Sequence, residues 1–303
     1  MVVVVGGALS VEISTAASHQ RDQASSLLAM DDSKSADFQR LKLLGRGHFG
    51  SVYLCRLTRV KSYGSPFSRV AVKHYRNSIC EENAKKEAQV MRGLNHVNVV
   101  KYLDHFTTTG GRTVIVMEYC DSGTLEDYMF DCPRPHPEDN VWKFTWQISG
   151  ALTYLHQLQI IHQDLKPSNL LCKSNAEGTV DLKIADFGVC NILDSEARDY
   201  AYNVKLRVVR KESYLAPEAL RNRNNVDTSL DIWSLGAVIS YVANDAEHLF
   251  KSSSEVLDWR GEESPVRAIY SKELRDLVLS ALNPVMVRRP TAAIISDISE
   301  RNQ

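Results

Sequence analysis

The sequence changes character near Gly123, and this change constrains the fold more than any other feature of the chain. Before it, short apolar stretches separated by turn residues predict β-strands at Leu41–Gly45, Val52–Leu57, Val70–Lys73, Lys101–Thr107 and Thr113–Tyr119. The same part of the chain contains one predicted helix, Glu82–Leu94, whose apolar residues recur at helical spacing. After Gly123, an apolar stripe predicts a long helix with Val141, Phe144, Ile148, Leu152 and Leu155 on one face.

The stretch Leu230–Val242 is apolar almost all round, which is typical of a helix buried in a larger lobe. We therefore predict an α+β fold with two lobes. A small antiparallel sheet with one helix forms the N-lobe (residues 37–119), a hinge spans residues 118–123, and a larger, mainly helical C-lobe spans residues 124–300. Residues 1–36 lack a sustained period and are predicted to be a disordered leader.

Composition excludes several other classes of protein. The net charge of −1 over 303 residues provides no field that would attract nucleic acid or an anionic membrane, so we expect neither as a partner. The six cysteines include no CxxC pair, which argues against a zinc cluster and a disulfide framework and favours a reducing compartment. The apolar run Met1–Val11 is far shorter than the ~20 residues that cross a bilayer. We therefore expect a soluble intracellular protein, cytoplasmic or nuclear.

A glycine-rich turn joins the first two predicted strands. Residues 45–52, Gly-Arg-Gly-His-Phe-Gly-Ser-Val, match the pattern GxGxxGxV. Glycines let a backbone approach phosphate oxygens closely, although the same pattern also suits an ordinary hairpin turn. A dinucleotide-binding βαβ unit is disfavoured, because a strand and not a helix follows the turn.

Val70–Lys73 places a lysine at the end of an apolar strand, and Glu87 lies on the predicted helix that follows. The lysine could neutralise nucleotide phosphates if the carboxylate of Glu87 held it in place. Each residue alone would more simply be a solvated surface charge.

The strongest segment is residues 162–169, His-Gln-Asp-Leu-Lys-Pro-Ser-Asn, followed by Asp186-Phe187-Gly188 after a short apolar strand. Oxygens of Asn169 and Asp186, from separate loops, could share magnesium ions bound to a polyphosphate. The carboxylate of Asp164 could accept the proton of an attacking hydroxyl. Phosphoryl transfer depends mainly on positioning and charge neutralisation, so these few groups would suffice.

Together these motifs resemble the signature set of eukaryotic protein kinases, over roughly residues 38–300. Three further landmarks agree with the resemblance: Ala216-Pro217-Glu218, Asp231 at the start of the buried helix, and Arg289, placed where the family pairs an arginine with that glutamate. Lys166-Pro167-Ser168-Asn169 resembles the serine/threonine type. The resemblance implies the bilobal protein-kinase fold, ATP and Mg²⁺ as cofactors, and transfer of the γ-phosphate to serine or threonine hydroxyls of a protein substrate.

The resemblance also implies a role for each matching residue. Asp164 would be the catalytic base, Lys166 would steady the γ-phosphate, and Lys73, held by Glu87, would bind the α- and β-phosphates. Asn169 and Asp186 would carry magnesium. The remaining residues would surround the nucleotide: Gly45, Gly47 and Gly50 over the phosphates, Val52, Ala71 and Leu171 around the adenine ring, Met117 as gatekeeper, and Glu118–Cys120 as the adenine hinge.

The chain departs from the family pattern at two places. Gln163 replaces the arginine that normally grips an activation-loop phosphate, and a neutral amide binds phosphate more weakly. We therefore hypothesise that activity does not require phosphorylation of this loop. Arg210-Lys211 replaces a Gly-Thr pair, which keeps open the alternative of a pseudokinase-like ATP-binding scaffold.

The loop that contains Arg210-Lys211 is basic, and it is either simply solvated or selects acidic or phosphorylated substrates. The segment Asp121–Leu125 resembles the NIMA-related and Ste-like groups.

Overall fold

The first part of the chain forms one antiparallel sheet with a helix packed against it. The computed structural model describes residues 37–47, 49–58, 68–76, 81–193, 212–222 and 227–303. The five strands have the spatial order β1-β2-β3-β5-β4. The strands and the helix are β1 (Phe38–Arg46), β2 (Gly50–Leu57), β3 (Arg69–Tyr75), α1 (Glu81–Arg92), β4 (Tyr102–Thr107) and β5 (Thr113–Glu118).

Both faces of this sheet are covered by apolar side chains, because strand residues alternate between the faces. On β3, Val70 and Val72 belong to a small cluster on the outer face. Ala71 and Tyr75 belong to a much larger cluster on the inner face. Lys73 lies two positions after Ala71 and two before Tyr75, so its side chain is on the same inner face, toward α1.

The chain beyond β5 is mainly helical, as predicted. Its helices are α2 (Leu125–Asp131), α3 (Glu138–Gln157), α4 (Pro217–Arg221), α5 (Ser229–Ala243), α6 (Ser253–Asp258), α7 (Lys272–Ala281) and α8 (Ala292–Arg301). Two short antiparallel pairs follow α3, formed by β6 (Ile160–Ile161) with β9 (Asn191–Ile192) and by β7 (Leu170–Ser174) with β8 (Val180–Ile184).

Helix α5 lies at the centre of this lobe, and every one of its residues from Ser229 to Ala243 is buried. The inner cluster of the sheet is continuous with the core around α5, since Ala71, Met91, Phe187 and Trp233 all belong to it. Within the residues that the structure describes, no helix combines the length and apolar character that a membrane crossing needs.

The strand and helix assignments are confirmed, but several boundaries differ from the prediction. β1 begins at Phe38 and not at Leu41, because Gln39 and Arg40 continue the ladder with β2 despite their polar side chains. β3 continues two residues past Lys73 to Tyr75 for the same reason, since it pairs with β2 to its end. Cross-strand pairing extends both strands beyond their apolar stretch.

Candidate active site

The first group of site residues is a buried ion cluster between β3, α1 and the loop after β8. The ammonium nitrogen of Lys73 lies 2.8 Å from both carboxylate oxygens of Glu87 and 2.8 Å from Oδ1 of Asp186. Lys73 and Glu87 are 7% and 2% exposed. The predicted partnership of these two residues is therefore present in the geometry, and Asp186 joins it.

The charges in this cluster stabilise each other against the cost of burial. Burial disfavours the ammonium of Lys73, but the two carboxylates outweigh it and raise the pKa of Lys73. Burial alone would raise the pKa of Asp186. The positive charge of Lys73 and its hydrogen bond outweigh burial, so the pKa of Asp186 is lowered. Burial dominates at Glu87 and raises its pKa, although Lys73 and the Tyr75 hydroxyl both favour its ionised form.

Tyr75 is a member of this cluster that the sequence reasoning missed. Its hydroxyl donates a hydrogen bond to Oε2 of Glu87, and the centre of its ring lies 5.2 Å from the Lys73 ammonium. The signal was available in the sequence, because residues two apart on a strand share a face and Tyr75 follows Lys73 by two positions.

The second group lies in the loop between β6 and β7. Lys166 donates to Oδ2 of Asp164 at 2.8 Å, and Nδ2 of Asn169 donates to the same oxygen at 2.9 Å and to the Asp164 carbonyl at 2.8 Å. Asn169 ends a single 3₁₀ turn, Pro167–Asn169, whose first position suits proline. Both side-chain donors bind Oδ2 of Asp164, and neither of them binds Oδ1.

The two groups are joined through the backbone on either side of Ala185. The Ala185 amide donates to the Asn169 carbonyl at 2.9 Å, and the Ala185 carbonyl contacts Nε2 of His162 at 3.0 Å. The rings of His162 and Phe187 pack perpendicular to each other, with 5.2 Å between ring centres. The Lys166 ammonium is among the charges that lower the pKa of Asp186. All predicted catalytic and metal-binding residues therefore surround one site.

A fully buried carboxylate on α5 holds the loop that contains Asp164. Asp231 accepts the backbone amides of His162 and Gln163 at 2.9 and 2.8 Å, and it contacts Nε2 of His156 at 2.9 Å. Burial opposes its ionisation, but these bonds and the nearby histidines lower the pKa of Asp231. Gln163 adopts a φ of +65°, a strained conformation for a residue with a side chain, and the two amide bonds maintain it.

The glycine-rich turn joins the end of β1 to the start of β2. The Gly47 amide donates to the Gly50 carbonyl at 2.9 Å. A Cβ atom at Gly50 would lie 1.9 Å from the His74 carbonyl oxygen, whereas one at Gly45 or Gly47 would meet nothing within 4 Å. Gly50 is therefore required by strand packing, and the space beside Gly45 and Gly47 leaves their backbone open to a ligand.

The residues predicted to surround the adenine ring all belong to the inner apolar cluster or pack against it. Ala71 and Met117 face each other across β3 and β5, and Val52 lies opposite Lys73 on β2. Both Val52 and Leu171 pack against the cluster that contains Ala71, Met117 and Cys120. The structure thus places Ala71 beside Met117, while Val52, Cys120 and Leu171 belong to or border the same cluster.

Glu118 forms part of the predicted hinge, but its side chain is engaged elsewhere. It accepts hydrogen bonds from the Lys101 amide at 2.7 Å and from Lys173 at 2.7 Å, and it pairs with Lys183 at 2.9 Å. The Glu118 carboxylate is therefore bound by lysines of β7 and β8. A ligand at the hinge would contact the backbone of Glu118 and not its side chain.

The predicted contact between Arg289 and Glu218 is present. The guanidinium binds the two carboxylate oxygens at 2.6 and 2.8 Å, and it also donates to the carbonyls of Ser229 and Asn283 at 2.9 Å each. Arg210 and Lys211, the substituted pair, lie outside the described residues, as do the other basic residues of that loop.

The sequence matches the family described as protein kinase domain over residues 38–299. It is 32% identical over 261 residues to the serine/threonine-protein kinase Nek8 of Danio rerio, covering 84% of this chain and 35% of that protein. It is 37% identical over 202 residues to myosin light chain kinase 3 of Homo sapiens, covering 66% of this chain and 23% of that protein. A third relative is the serine/threonine-protein kinase nekl-2 of Caenorhabditis elegans, 28% identical over 275 residues, with 86% of this chain and 73% of that protein covered.

The fold has a strand-rich part and a mainly helical part, and the predicted catalytic residues cluster where β3 and α1 meet the loops of the helical part. The chain belongs to the protein kinase domain family, which confirms the resemblance inferred from the motifs and the bilobal α+β fold. Two of these relatives are named as serine/threonine-protein kinases, the type predicted, and one of them is Nek8, in agreement with the NIMA-related likeness. Membership implies use of ATP with a divalent metal ion, and protein substrates. The chain spans well under half the length of the first two relatives.

Proposed function

We propose that this chain is an active serine/threonine protein kinase that transfers the γ-phosphate of ATP to a serine or threonine hydroxyl of a protein substrate. The single observation that carries this proposal is the convergence of both ion clusters on one site, with Lys73 bound to Glu87 and Asp186 and with Asp164 oriented by Lys166 and Asn169. A scaffold that only binds ATP has no need for a carboxylate fixed in this orientation.

Asp164 is the proposed catalytic base. Lys166 and Asn169 both donate to its Oδ2, and among the described contacts neither binds Oδ1, so Oδ1 is the oxygen that would accept the proton. As the substrate hydroxyl oxygen forms its bond to the γ-phosphorus, its proton passes to Asp164 and the bond from that phosphorus to the bridging oxygen breaks, releasing ADP. Lys166 lies beside this carboxylate and supplies positive charge to the γ-phosphate in the transition state.

Asn169 and Asp186 are the proposed ligands of Mg²⁺. Asn169 donates through its amide nitrogen to Asp164, which leaves its amide oxygen to act as a ligand, and the Asp186 side chain is 34% exposed. An amide and a carboxylate oxygen are the hard ligands that this ion prefers, so the residues present fit it. When bound, magnesium would neutralise charge on the transferred phosphate.

The nucleotide would lie between the lobes. The backbone at Gly45, Gly47 and Gly50 would cover the phosphates, and Lys73 would bind the α- and β-phosphates. The adenine ring would lie between Val52, Ala71, Met117, Cys120 and Leu171, beside the backbone of Glu118. This assignment keeps the proposed division into an N-lobe (37–119), a hinge (118–123) and a C-lobe (124–300).

Two further points belong to this proposal. Lys166-Pro167-Ser168-Asn169 and the names of the relatives both support serine and threonine as acceptors. All five cysteines within the described residues are free thiols, which supports an intracellular location, cytoplasmic or nuclear.

The test is transfer of labelled phosphate from ATP and Mg²⁺ to a generic basic protein, with an Asp186→Asn variant as the matched control. We expect transfer to serine or threonine by the wild-type protein and loss of transfer in the variant. Absence of transfer by a wild-type protein that still binds ATP would contradict the proposal and favour the scaffold alternative.

A further inference from the structure

Tyr75 contacts both partners of the central ion pair. It is 2% exposed, and because it follows Lys73 by two positions on β3 its ring lies on the same face of the sheet. The hydroxyl donates to Oε2 of Glu87, while the ring lies 5.2 Å below the Lys73 ammonium, within the range of a cation–π contact.

The donors of Lys73 are fully used in this arrangement. An ammonium group has three N–H bonds, and Lys73 lies 2.8 Å from three oxygens, two on Glu87 and one on Asp186. A nucleotide phosphate can bind Lys73 only if at least one of these bonds is given up. If the lost bond is one to Glu87, the buried carboxylate loses a donor at the moment when it must keep the lysine in place.

The Tyr75 hydroxyl supplies a donor that does not depend on Lys73. Tyr75 lies on β3, the middle strand of the sheet, whereas Glu87 lies on α1, so the bond also connects the helix to the sheet. A second tie lies at the start of α1, where Glu81 accepts the Thr113 amide at 2.7 Å and the Thr113 hydroxyl. The sheet therefore holds α1 at both Glu81 and Glu87. These contacts would keep Glu87 beside Lys73 even if the lysine gave up a bond to Glu87 in order to bind a phosphate.

We propose that Tyr75 is a positioning residue that holds the Glu87 carboxylate in place while Lys73 binds nucleotide phosphates. This inference rests on the proposed kinase function, because it assigns Lys73 to the phosphates of ATP. Tyr75 touches neither substrate nor nucleotide in this scheme and acts only through Glu87.

The test compares Tyr75→Phe with the wild-type protein under steady-state kinetics. The substitution removes only the hydroxyl and keeps the ring, so it preserves packing and the cation–π contact. We expect kcat to fall about tenfold, the lower end of what a hydrogen bond to a charged group contributes. The KM for the protein substrate should stay within about twofold, because Tyr75 lies on the nucleotide side of the site. A purely structural role would instead lower the fraction of active protein, which nucleotide-binding stoichiometry measures separately.

Tyr53→Phe is the matched control. Tyr53 lies on the neighbouring strand β2, but its ring packs against the outer cluster of the sheet, on the face away from Glu87. The same loss of a hydroxyl there should leave kcat within about twofold of the wild-type value, since surface-side changes of this size are usually small.

A double-mutant cycle decides whether Tyr75 acts through Glu87. The affinity for ATP is measured by titration with a fluorescent nucleotide analogue in the wild-type protein, in Tyr75→Phe, in Glu87→Ala and in the double variant. We expect Tyr75→Phe to weaken binding in the wild-type background and to have no further effect once the Glu87 carboxylate is absent. A kcat of Tyr75→Phe within twofold of wild type, or an equal loss of affinity in both backgrounds, would overturn the inference. If the wild-type protein transfers no phosphate, the proposed kinase function is wrong. The double-mutant cycle on ATP affinity still tests the contact between Tyr75 and Glu87 in that case.

Discussion

Replacing Arg289 by methionine should destabilise the C-lobe strongly, because the arginine is the hub of a buried polar network. Its side chain is 0% exposed, and the Glu218 carboxylate that it binds through two bonds is 12% exposed. The guanidinium also lies 5.0 Å from the Trp233 ring centre and donates to two backbone carbonyls. Methionine fills a similar volume without any of these donors, so the Glu218 carboxylate and both carbonyls would lose their partner.

The expected cost follows from the burial of the pair. Removing one partner of a buried ion pair typically costs about 3–5 kcal/mol, mostly because the other charge is left uncompensated. For a domain of this size each kcal/mol lowers Tm by about 2–4 °C, so the variant should melt about 10 °C below the wild-type protein. Replacing Glu218 by leucine in the same molecule should recover part of this loss, since it removes the stranded charge.

The assay is thermal unfolding followed by circular dichroism, with Arg288→Met as the matched control. Arg288 precedes Arg289 directly and is exposed, so the same change there should shift Tm by no more than about 2 °C. Equal melting temperatures for the Arg288 and Arg289 variants would refute the reasoning, because the buried Arg289–Glu218 pair would then contribute nothing measurable to stability.

Three further predictions concern the glycine-rich turn, the hinge and activation. Gly50→Ala should lower Tm by several degrees, because overpacking against a neighbouring strand costs about 1–3 kcal/mol, whereas Gly47→Ala should leave Tm unchanged; equal shifts in a melting experiment would contradict this. Burial alone would raise the pKa of Glu118, but hydrogen bonds from lysines lower it below its ordinary 4.5. The ionised carboxylate therefore stabilises the folded state at pH values above 4.5. This stabilisation is lost as the pH falls through the lowered pKa. Urea unfolding should therefore show Glu118→Gln less stable than wild type at pH 7 by about 1–3 kcal/mol, with the difference vanishing in acid rather than persisting. Because Gln163 replaces an arginine, phosphatase treatment should leave phosphate transfer intact, and a collapse of activity would show that loop phosphorylation is required.

Much of the fold and the site could be predicted from the sequence because its patterns are local. The alternation of apolar residues on β3 and the helical stripe on α3 are properties of short segments, and both elements are present. The pair Lys73–Glu87 joins a strand to the helix that follows it, and the position of Glu87 on that helix indicates the contact. The pair Arg289–Glu218 joins distant segments, and only the resemblance to the family predicts it.

Other contacts could not be predicted, since they depend on how distant segments approach one another. Nothing in the sequence around Glu118 shows that its carboxylate faces Lys173 and Lys183 and not the cleft. The strained φ of Gln163 likewise follows from its amide bond to Asp231, 68 positions away. Tyr75 is an intermediate case, since the strand period indicated its face but not its partner.

The continuous apolar cluster that runs from the sheet to α5 has a consequence for how the molecule folds. Residues from the sheet, such as Ala71 and Met117, share that cluster with Phe187 and Leu155 from the other lobe, so neither lobe completes its core alone. A fragment ending at the hinge would expose the inner face of the sheet to water and would be prone to aggregate. The two lobes should therefore fold as a single cooperative unit, and the cleft between them would form only when both are present.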